Sequence, residues 1–482
     1  MKMSDIGVTV KKSEDFSEWY TQVVLKSGLA DYAPVKGCMI FRELSYAIWE
    51  KIQEIFNEKI KATGHRNVYF PLFIPESFLK KEAEHFAGFT PEVAWVTSGG
   101  DTPLEEKLAL RPTSETIMYA TFAKWVRSWR DLPIKINQWC NIIRWDTKGT
   151  RLFLRTREFL WQEGHTAHAT KEEADREVME ILNAYKDLIE NYLAIPVLTG
   201  KKTESEKFPG ALYTTALEAI MPDGKALQMG TSHNLGQNFA KVFEIKFIGE
   251  DEKEHYVWQT SWGISTRLIG AIVMVHGDDK GLILPPKIAP IQVVIVPIPY
   301  KEADSTAVLA KAKEIFEKLQ KTGIAVVLDD RTEYTPGWKF NDWELKGVPI
   351  RVEVGPKDLK QKQVTLARRD TSERITVKEE EAIDAVTKLL EEIQNNLYNK
   401  AKKFLEEKIT TVRTYEEFKE TLKGKGGFIR ASWCSSPVCE EKIKEETGAT
   451  IRIVPLGREK PFSKCIYCGG KAKEVVYFAR AY

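Results

Sequence analysis

Between residues 144 and 165 the chain gathers side chains that are costly to place together. Arg144 closes "IKINQWCNIIR", and "RLFLRTREFLWQEGH" (151–165) carries Arg155, Arg157, Phe159, Trp161, Glu163 and His165 at odd positions. Leu152, Leu154 and Leu160 fall at even ones. Read as one β-strand, the stretch has an apolar face and a second face of guanidinium groups, aromatic rings, a carboxylate and an imidazole. Arginine forks bind phosphate oxygens, and Phe159 offers a flat surface on which a base can stack. Far along the chain, Arg267 ends "SWGISTR". Taken singly, each arginine reads as a surface charge with its stem lying on apolar surface. As a set, Arg144, Arg155 and Arg267 with their aromatic neighbours imply a site for a nucleoside triphosphate held without a P-loop. Arg157 has no role in that set beyond a supporting salt bridge.

A second kind of chemistry lies at the C-terminal end. Cys434-x4-Cys439 and Cys465-x2-Cys468 form two close pairs that can converge on one tetrahedral ion. Four thiolates leave no open position, so the reading is structural Zn2+ rather than a catalytic metal. Reduced, unligated cysteines in a small domain are the alternative.

The elements that must position these groups follow a changing pattern. "NVYFPLFIP" (67–75) reads as a strand, 112–129 as a helix opening on Pro112 and a Ser/Thr–Glu cluster, and 134–145 and 151–165 as strands. Residues 170–193 form a strongly periodic helix. Strands predominate up to a helix at 268–275, an antiparallel α+β pattern rather than βαβ alternation. Near Pro285-Pro286 the pattern changes to strand–helix–strand–helix–strand (291–356), a compact α/β domain with no glycine-rich loop after its first strand. A charged helical stretch (378–422) leads to the cysteines. The expected domains are 1–284, 285–385 and 386–482.

Composition agrees with a globular chain: 482 residues, 43% hydrophobic and 29% charged, with 71 Lys+Arg against 69 Asp+Glu and a net charge of +2. Any nucleic-acid surface must therefore be a local patch. No apolar run approaches the ~18 residues of a membrane span. The first residues lack a signal-peptide apolar core, and the expected location is cytoplasmic.

Arg144-Trp145-Asp146, followed by Arg155, Phe159 and Glu163, resembles motif 2 of the class II aminoacyl-tRNA synthetases. "GISTRLIGAIVM" with Arg267 resembles motif 3, and "NVYFPLFIP" with Pro71 resembles motif 1, the dimer-contact strand. Asp146 replaces the more usual Glu of motif 2 and keeps the carboxylate. "LRPTSET", "WQEGH" and "GTSHNLGQNF" are similar to the prolyl-tRNA synthetases of the archaeal/eukaryotic-like type. The resemblance covers nearly the whole chain. It implies an α+β fold: a class II catalytic domain on an antiparallel sheet, an α/β anticodon-binding domain and a small α/β cysteine-rich C-terminal domain.

The resemblance also implies a proline–tRNA ligase. ATP and L-proline would form prolyl-adenylate and release pyrophosphate, and proline would then pass to the 3′-end of tRNA(Pro). The proline carboxylate is already a nucleophile, so the site needs positioning and charge stabilisation rather than a general base. By the resemblance, Arg144 bridges the proline carboxylate and the α-phosphate, Arg155 holds the outer phosphates, and Arg267 meets them from the other side while stacking on adenine. Phe159 packs on the opposite adenine face. Thr156, Gln228, Thr231 and Ser265 contact the nucleotide, and Mg2+ accompanies ATP. Thr113 and Glu115 accept the N–H donors of proline's ammonium, although Glu115 also reads as a carboxylate favouring a helix N-terminus. Trp161, Glu163 and His165 form the pyrrolidine pocket and His233 closes it. Arg331, Lys339, Glu344 and Glu353 are the anticodon candidates. A homodimer is implied by the class, and Tyr482 is expected near the active site.

Each missing methylene gives only ~1–3 kcal/mol of discrimination. The stretch 166–264 leaves no room for a large editing insertion, so misactivation of alanine and cysteine is expected. A synthetase for threonine, serine or histidine is the nearest rival; "PTSE" with "WQEGH" favours proline. A non-catalytic paralogue would have lost the three arginines. A zinc-ribbon nucleic-acid binder leaves the first 280 residues without a purpose.

Overall fold

The computed structural model describes residues 7–83, 93–145, 147–299, 302–457 and 459–482; Asp146 lies outside them. Seven strands carry the first domain: β1 (Arg66–Asn67), β2 (Ile134–Ile143), β3 (Glu158–His168), β4 (Leu198–Lys201), β5 (Tyr213–Ile220), β6 (Ala226–Gly236) and β7 (Trp258–Ser265). Across the sheet they run β4-β5-β6-β7-β3-β2-β1. Every pair is antiparallel except β1 with β2.

Period-two alternation decides which side chains reach which face. Helix Lys171–Asp187 starts at a Thr170/Glu173 capping box and buries Val178, Ile181, Leu182 and Tyr185, packing on β6 and β7. On β3, Gln162 faces this helix and accepts from the Tyr185 hydroxyl at 2.6 Å. Gly164 shares that face. A Cβ there would lie 2.2 Å from the Trp262 ring, which explains the glycine of "WQEGH". Trp262 and Tyr185 are both fully buried in this layer, each contributing on the order of 2–3 kcal/mol of burial. Trp161, Glu163 and His165 are left for the opposite face.

Two expected strands are interrupted. Residues 67–75 split into β1 and a separate strand, Phe73–Pro75, which pairs in another sheet. Pro71 has no N–H to give a ladder. The backbone between is held instead by Gln138, whose side chain accepts from the Phe70 N–H, and by Arg111, which donates to the Phe70 carbonyl at 2.8 Å. Likewise β3 starts only at Glu158. Residues 151–155 make a tight turn closed by Arg151 N–H to Arg155 O (2.7 Å) and Arg155 N–H to Arg151 O (2.9 Å). Phe153 sits at φ 61°, and Leu152, Phe153 and Leu154 are all buried in succession. Three consecutive buried side chains cannot belong to one strand face. The shared face expected for Arg155, Arg157 and Phe159 therefore does not exist upstream of 158. Arg157 stacks on Trp145 at 4.5 Å and donates to the Lys36 carbonyl at 3.1 Å. Among the described residues it makes no ion pair, contrary to expectation.

The second domain is a five-stranded sheet of β8 (Val293–Pro297), β9 (Val326–Leu328), β10 (Ile350–Val354), β11 (Gln363–Arg368) and β12 (Arg374–Lys378), in the order β9-β8-β10-β11-β12. The expected boundary at residue 385 falls inside helix Ala382–Glu407. Val386, Leu389 and Ile393 of that helix join the core of the α/β domain, while Leu405 packs with Phe428 and Ala479 of the C-terminal region. The cysteine-rich end forms β13 (Ile409–Thr411), β14 (Phe428–Trp433), β15 (Thr450–Pro455) and β16 (Glu474–Ala479). It does not stand apart: β15 pairs with β4 through Val454–Lys201 and Pro455–Gly200, making one eleven-stranded sheet with the first domain.

Candidate active site

Strands β3, β5, β6 and β7 and the loop before helix Glu115–Trp125 enclose a cavity of about 340 Å³, within the usual range for small-molecule sites. Thr113, Glu115, Arg144, Phe159, Trp161, Glu163, His165, Gln228, Thr231, His233, Ser265 and Arg267 all line it. Arg155 and Thr156 do not. Arg155 stands exposed at the end of the 151–155 turn, and the Thr156 hydroxyl donates to the Glu158 carbonyl at 2.6 Å.

One end is acidic. Glu163 accepts from Gln138 Nε2 at 3.0 Å, from the Ser114 hydroxyl, and from His165 Nε2 at 3.0 Å. His165 Nδ1 meets the Tyr119 hydroxyl at 3.0 Å. The Thr113 hydroxyl donates to Glu115, which is buried at the first position of its helix. Burial works against the charge on Glu163, yet the bond and charge of His165, with the bonds from Ser114 and Gln138, hold it below the usual carboxylate range. Burial also opposes the charge on His165, but the hydrogen bond to Glu163 and the nearby Glu115 and Glu163 carboxylates raise it. His233 goes the other way: burial, with His165 beside it, pushes it down to about 3. It stays a neutral ring, 2.9 Å from the Thr214 hydroxyl.

The other end is cationic. Arg144 lies over Phe159 (5.5 Å) and Trp161 (5.7 Å), and its Nε donates to the Pro112 carbonyl at 3.3 Å. Arg267, at the start of helix Arg267–His276, donates to the carbonyls of Leu154 (3.4 Å) and Gln228 (3.3 Å). Such a cavity can take a small cation at one end and a polyanion at the other. Sequence reasoning missed the loop between β4 and β5, which adds Lys202, Glu206, Lys207 and Phe208 to the wall. Its one local signal was the "EKFPG" run, a charged stretch broken by an aromatic, a proline and a glycine.

Tyr482 lies beside the start of β6, outside the cavity lining. Its hydroxyl donates to Asp223 at 2.7 Å, its N–H to the Ala226 carbonyl at 3.2 Å, and the Arg151 guanidinium lies 5.6 Å from its ring.

A second cavity, of about 280 Å³, opens in the α/β domain among Lys280, Phe340, Trp343, Glu344, Arg351, Arg368, Arg369 and Arg374. Of the four residues expected to meet an anticodon, only Glu344 lines it. Arg331 is clamped on Asp329 at 2.7 and 2.8 Å. Lys339 is buried and donates to the Asp329 carbonyl at 3.0 Å. Glu353 is buried and accepts from Arg351 at 2.9 and 3.0 Å and from Arg374. Its role is to hold two arginines that do face the cavity. Alternation along β10 was the unused signal: it sets Arg351 and Glu353 on one face.

The sulfur atoms of Cys434, Cys439, Cys465 and Cys468 all lie within 4.8 Å of one another. Cys434 follows β14, and Cys439 opens helix Pro437–Thr447. The other pair sits in a turn where Cys465 N–H donates to the Gly470 carbonyl at 2.8 Å and Gly469 N–H to the Cys465 carbonyl at 3.0 Å.

Three family descriptions match successive parts of the chain: "tRNA synthetase class II core domain (G, H, P, S and T)" over 95–276, "Anticodon binding domain" over 292–389, and "Prolyl-tRNA synthetase, C-terminal" over 415–482. A proline–tRNA ligase of Natranaerobius thermophilus is 56% identical, with 98% of this chain and 97% of that protein aligned. One of Cenarchaeum symbiosum is 54% identical over 99% of this chain and 100% of its own length. The crystal structure of prolyl-tRNA synthetase from Cryptosporidium parvum, complexed with halofuginone and AMPPNP, superposes with a TM-score of 0.95 at 46% identity, covering 99% of this chain and 100% of that one.

Proposed function

The chain belongs to the prolyl-tRNA synthetase family, and from that premise we propose how its cavity joins L-proline to ATP and then to tRNA(Pro). It is a class II proline–tRNA ligase: it activates proline as prolyl-adenylate, releasing pyrophosphate, and transfers it to the tRNA 3′-end, releasing AMP. The observation that supports the assignment of roles is the polarity of one 340 Å³ cavity, with carboxylates at one end and arginines at the other.

Proline's secondary ammonium faces Thr113 and Glu115. Its ring lies against Trp161, with Glu163 and His165 fixing the wall and neutral His233 closing it. Its carboxylate then points at Arg144. That guanidinium, flat over Phe159 and Trp161, bridges the carboxylate and the α-phosphate. A carboxylate oxygen attacks phosphorus, a C–O–P linkage forms, the α–β bridge bond breaks, and pyrophosphate leaves with the electron pair. Arg267 neutralises the departing charge, and a donor placed where charge develops is worth about 3–4 kcal/mol of barrier. Gln228, Thr231 and Ser265 hold the nucleoside. Arg155, exposed on its turn, reaches the outer phosphates when ATP is bound. ATP would be taken as its Mg2+ complex, the ion supplying further positive charge for the phosphates beside Arg144, Arg155 and Arg267.

In the α/β domain the proposed anticodon surface is the second cavity, with Phe340 as a stacking platform and Glu344, Arg351 and Arg374 as hydrogen-bonding edges. The four-cysteine cluster fits structural Zn2+: a tetrahedral ion with ~2.3 Å bonds sets its sulfurs about 3.8 Å apart, and the Cys434–Cys439 and Cys434–Cys468 separations are 3.6 and 3.9 Å. Zinc there would tie the turn at 465–468 to β14. We also propose a homodimer, supported by exposed Tyr69 (71%), Phe73 (44%) and Trp95 (41%) around the motif 1 segment, and a cytoplasmic location with the rest of translation. Among the described residues no helix is long and apolar enough to cross a membrane.

ATP–pyrophosphate exchange, run with each amino acid in turn, tests the substrate. Proline is expected to drive exchange, with alanine and cysteine measurably slower. Exchange driven by threonine or serine but not proline would overturn the reading.

A further inference from the structure

Behind the cationic wall of the active site lies one buried carboxylate. Glu218, on β5, has no exposed surface. It stands directly opposite Gln228 of β6, so the two side chains share a sheet face. Gln228 lines the cavity, and its carbonyl accepts from Arg267. Glu218 thus sits on the strand next to the anchor of that arginine. Its carboxylate is fully occupied by others. Arg452 grips it in a fork, Nε to one oxygen at 3.1 Å and Nη2 to the other at 2.8 Å. Lys202, which lines the cavity, adds a third bond at 2.6 Å and also donates to the Arg452 carbonyl at 2.9 Å. Arg452 is not part of the first domain. It arrives on β15, the strand that joins the C-terminal region to β4.

Glu218 matters to Arg267 through space. Burial pushes Arg267 down to about 10 and Arg144 adds to this, while Glu218 works against it and Arg452 and Arg155 reinforce it. A buried carboxylate with open lone pairs would draw Arg267 toward itself, and an arginine closed on a carboxylate has less charge and fewer N–H groups for phosphate.

We propose that Arg452 is a positioning residue for proline activation: by holding both oxygens of Glu218 it keeps Arg267 directed at ATP, so the C-terminal region shapes the ATP site without touching ATP. The proposal rests on the reading that Arg267 binds the phosphates of ATP, and the test separates the two.

The full-length enzyme is prepared as Arg452→Met, Arg452→Lys, Glu218→Gln, Glu218→Gln/Arg452→Met and Arg267→Met, and proline-dependent ATP–pyrophosphate exchange is measured against ATP and against proline. Arg452→Met is expected to raise the KM for ATP about tenfold, with the KM for proline and kcat changed less than about threefold. Arg452→Lys should fall between it and wild type. Removing the carboxylate as well should return the KM for ATP to within about threefold of wild type, a coupling that the loss of two stabilising contacts cannot produce. An unchanged KM for ATP in Arg452→Met overturns the proposal. So does a uniform loss of activity with a lower melting temperature that Glu218→Gln does not relieve. If Arg452→Met does not fold, Arg452→Lys with and without Glu218→Gln carries the same comparison. If Arg267→Met leaves the KM for ATP unchanged, the underlying reading fails. If it raises that KM while Arg452→Met does not, only the proposal fails.

Discussion

In the active-site cavity Arg267 is held by two backbone carbonyls; in the α/β-domain cavity Arg351 and Arg374 are held by the carboxylate of Glu353. A carbonyl orients a guanidinium and leaves its charge intact for an anionic ligand. A carboxylate orients it and cancels the charge, leaving N–H edges whose direction matters more than their field. The first arrangement suits a triphosphate, whose recognition is chiefly electrostatic. The second suits the edge of an uncharged base, where a bare cation would bind any nearby phosphate and blur the reading. Phe340, with the Arg351 guanidinium 4.0 Å from its ring, supplies the stacking face that a base needs and a phosphate does not.

The largest expected effect breaks the comparison at its charged side. Arg267→Met should lower kcat/KM for pyrophosphate exchange by about 10²–10³-fold, whereas Arg351→Met should leave exchange unchanged. A similar loss in both variants would show that the two cavities are not separate in function. Next in size, Arg351→Met should raise the KM for tRNA(Pro) in aminoacylation roughly five- to 150-fold, equivalent to ~1–3 kcal/mol. A tRNA with altered anticodon bases should lose little more in that variant than it already loses with wild type. Glu353→Gln sharpens the point more gently. It restores charge to Arg351 and Arg374, so binding of tRNA should become more dependent on salt and discriminate less between anticodons. Salt titrations of wild type and variant with cognate and non-cognate tRNA check this; parallel slopes would count against it.

The smallest effect concerns the acidic end. His165 is raised when folded, so its stabilising contribution is complete below the unfolded imidazole value of 6.5 and is lost as pH rises through its folded value. Glu163 is lowered, so its contribution is present above 4.5 and is lost as pH falls through its folded value. The pair therefore stabilises most between these two reference values. Thermal melts should place His165→Gln roughly 2–4 °C below wild type near pH 6, and the gap should narrow toward pH 9. A gap that is constant with pH would assign the loss to packing alone.

Much of the active site was legible from residues because its chemistry is concentrated. Trp161, Glu163 and His165 alternate on a strand whose other face needs Gln162 and Gly164 for Tyr185 and Trp262. The convergence of the cysteine pairs was legible too, since two short spacings bring four sulfurs within 4.8 Å of one another. Arg155 was placed on a strand face because parity was carried through a turn; three consecutive apolar residues, Leu152 to Leu154, were the sign that alternation had stopped. In the α/β domain polar type alone picked the residues. Asp329 had already taken Arg331 and Lys339, and a charge pattern does not say which acid meets which base.

Residue types and short spacings were enough to fix the chemistry available here and the local elements that carry it: the arginines, the alternation of Trp161, Glu163 and His165, the thiol spacing, and helices such as Lys171–Asp187 with its capping box. These depend on side-chain type and on interactions a few residues apart. It took the tertiary structure to join β15 to β4, to bring Arg452 to Glu218, to bring Lys202 on the β4–β5 loop into the wall, and to bring Arg374 of β12 onto Glu353. Those pairings form between backbone edges far apart in the chain. Many registers satisfy the same local periodicities, and the packing of the whole core selects among them.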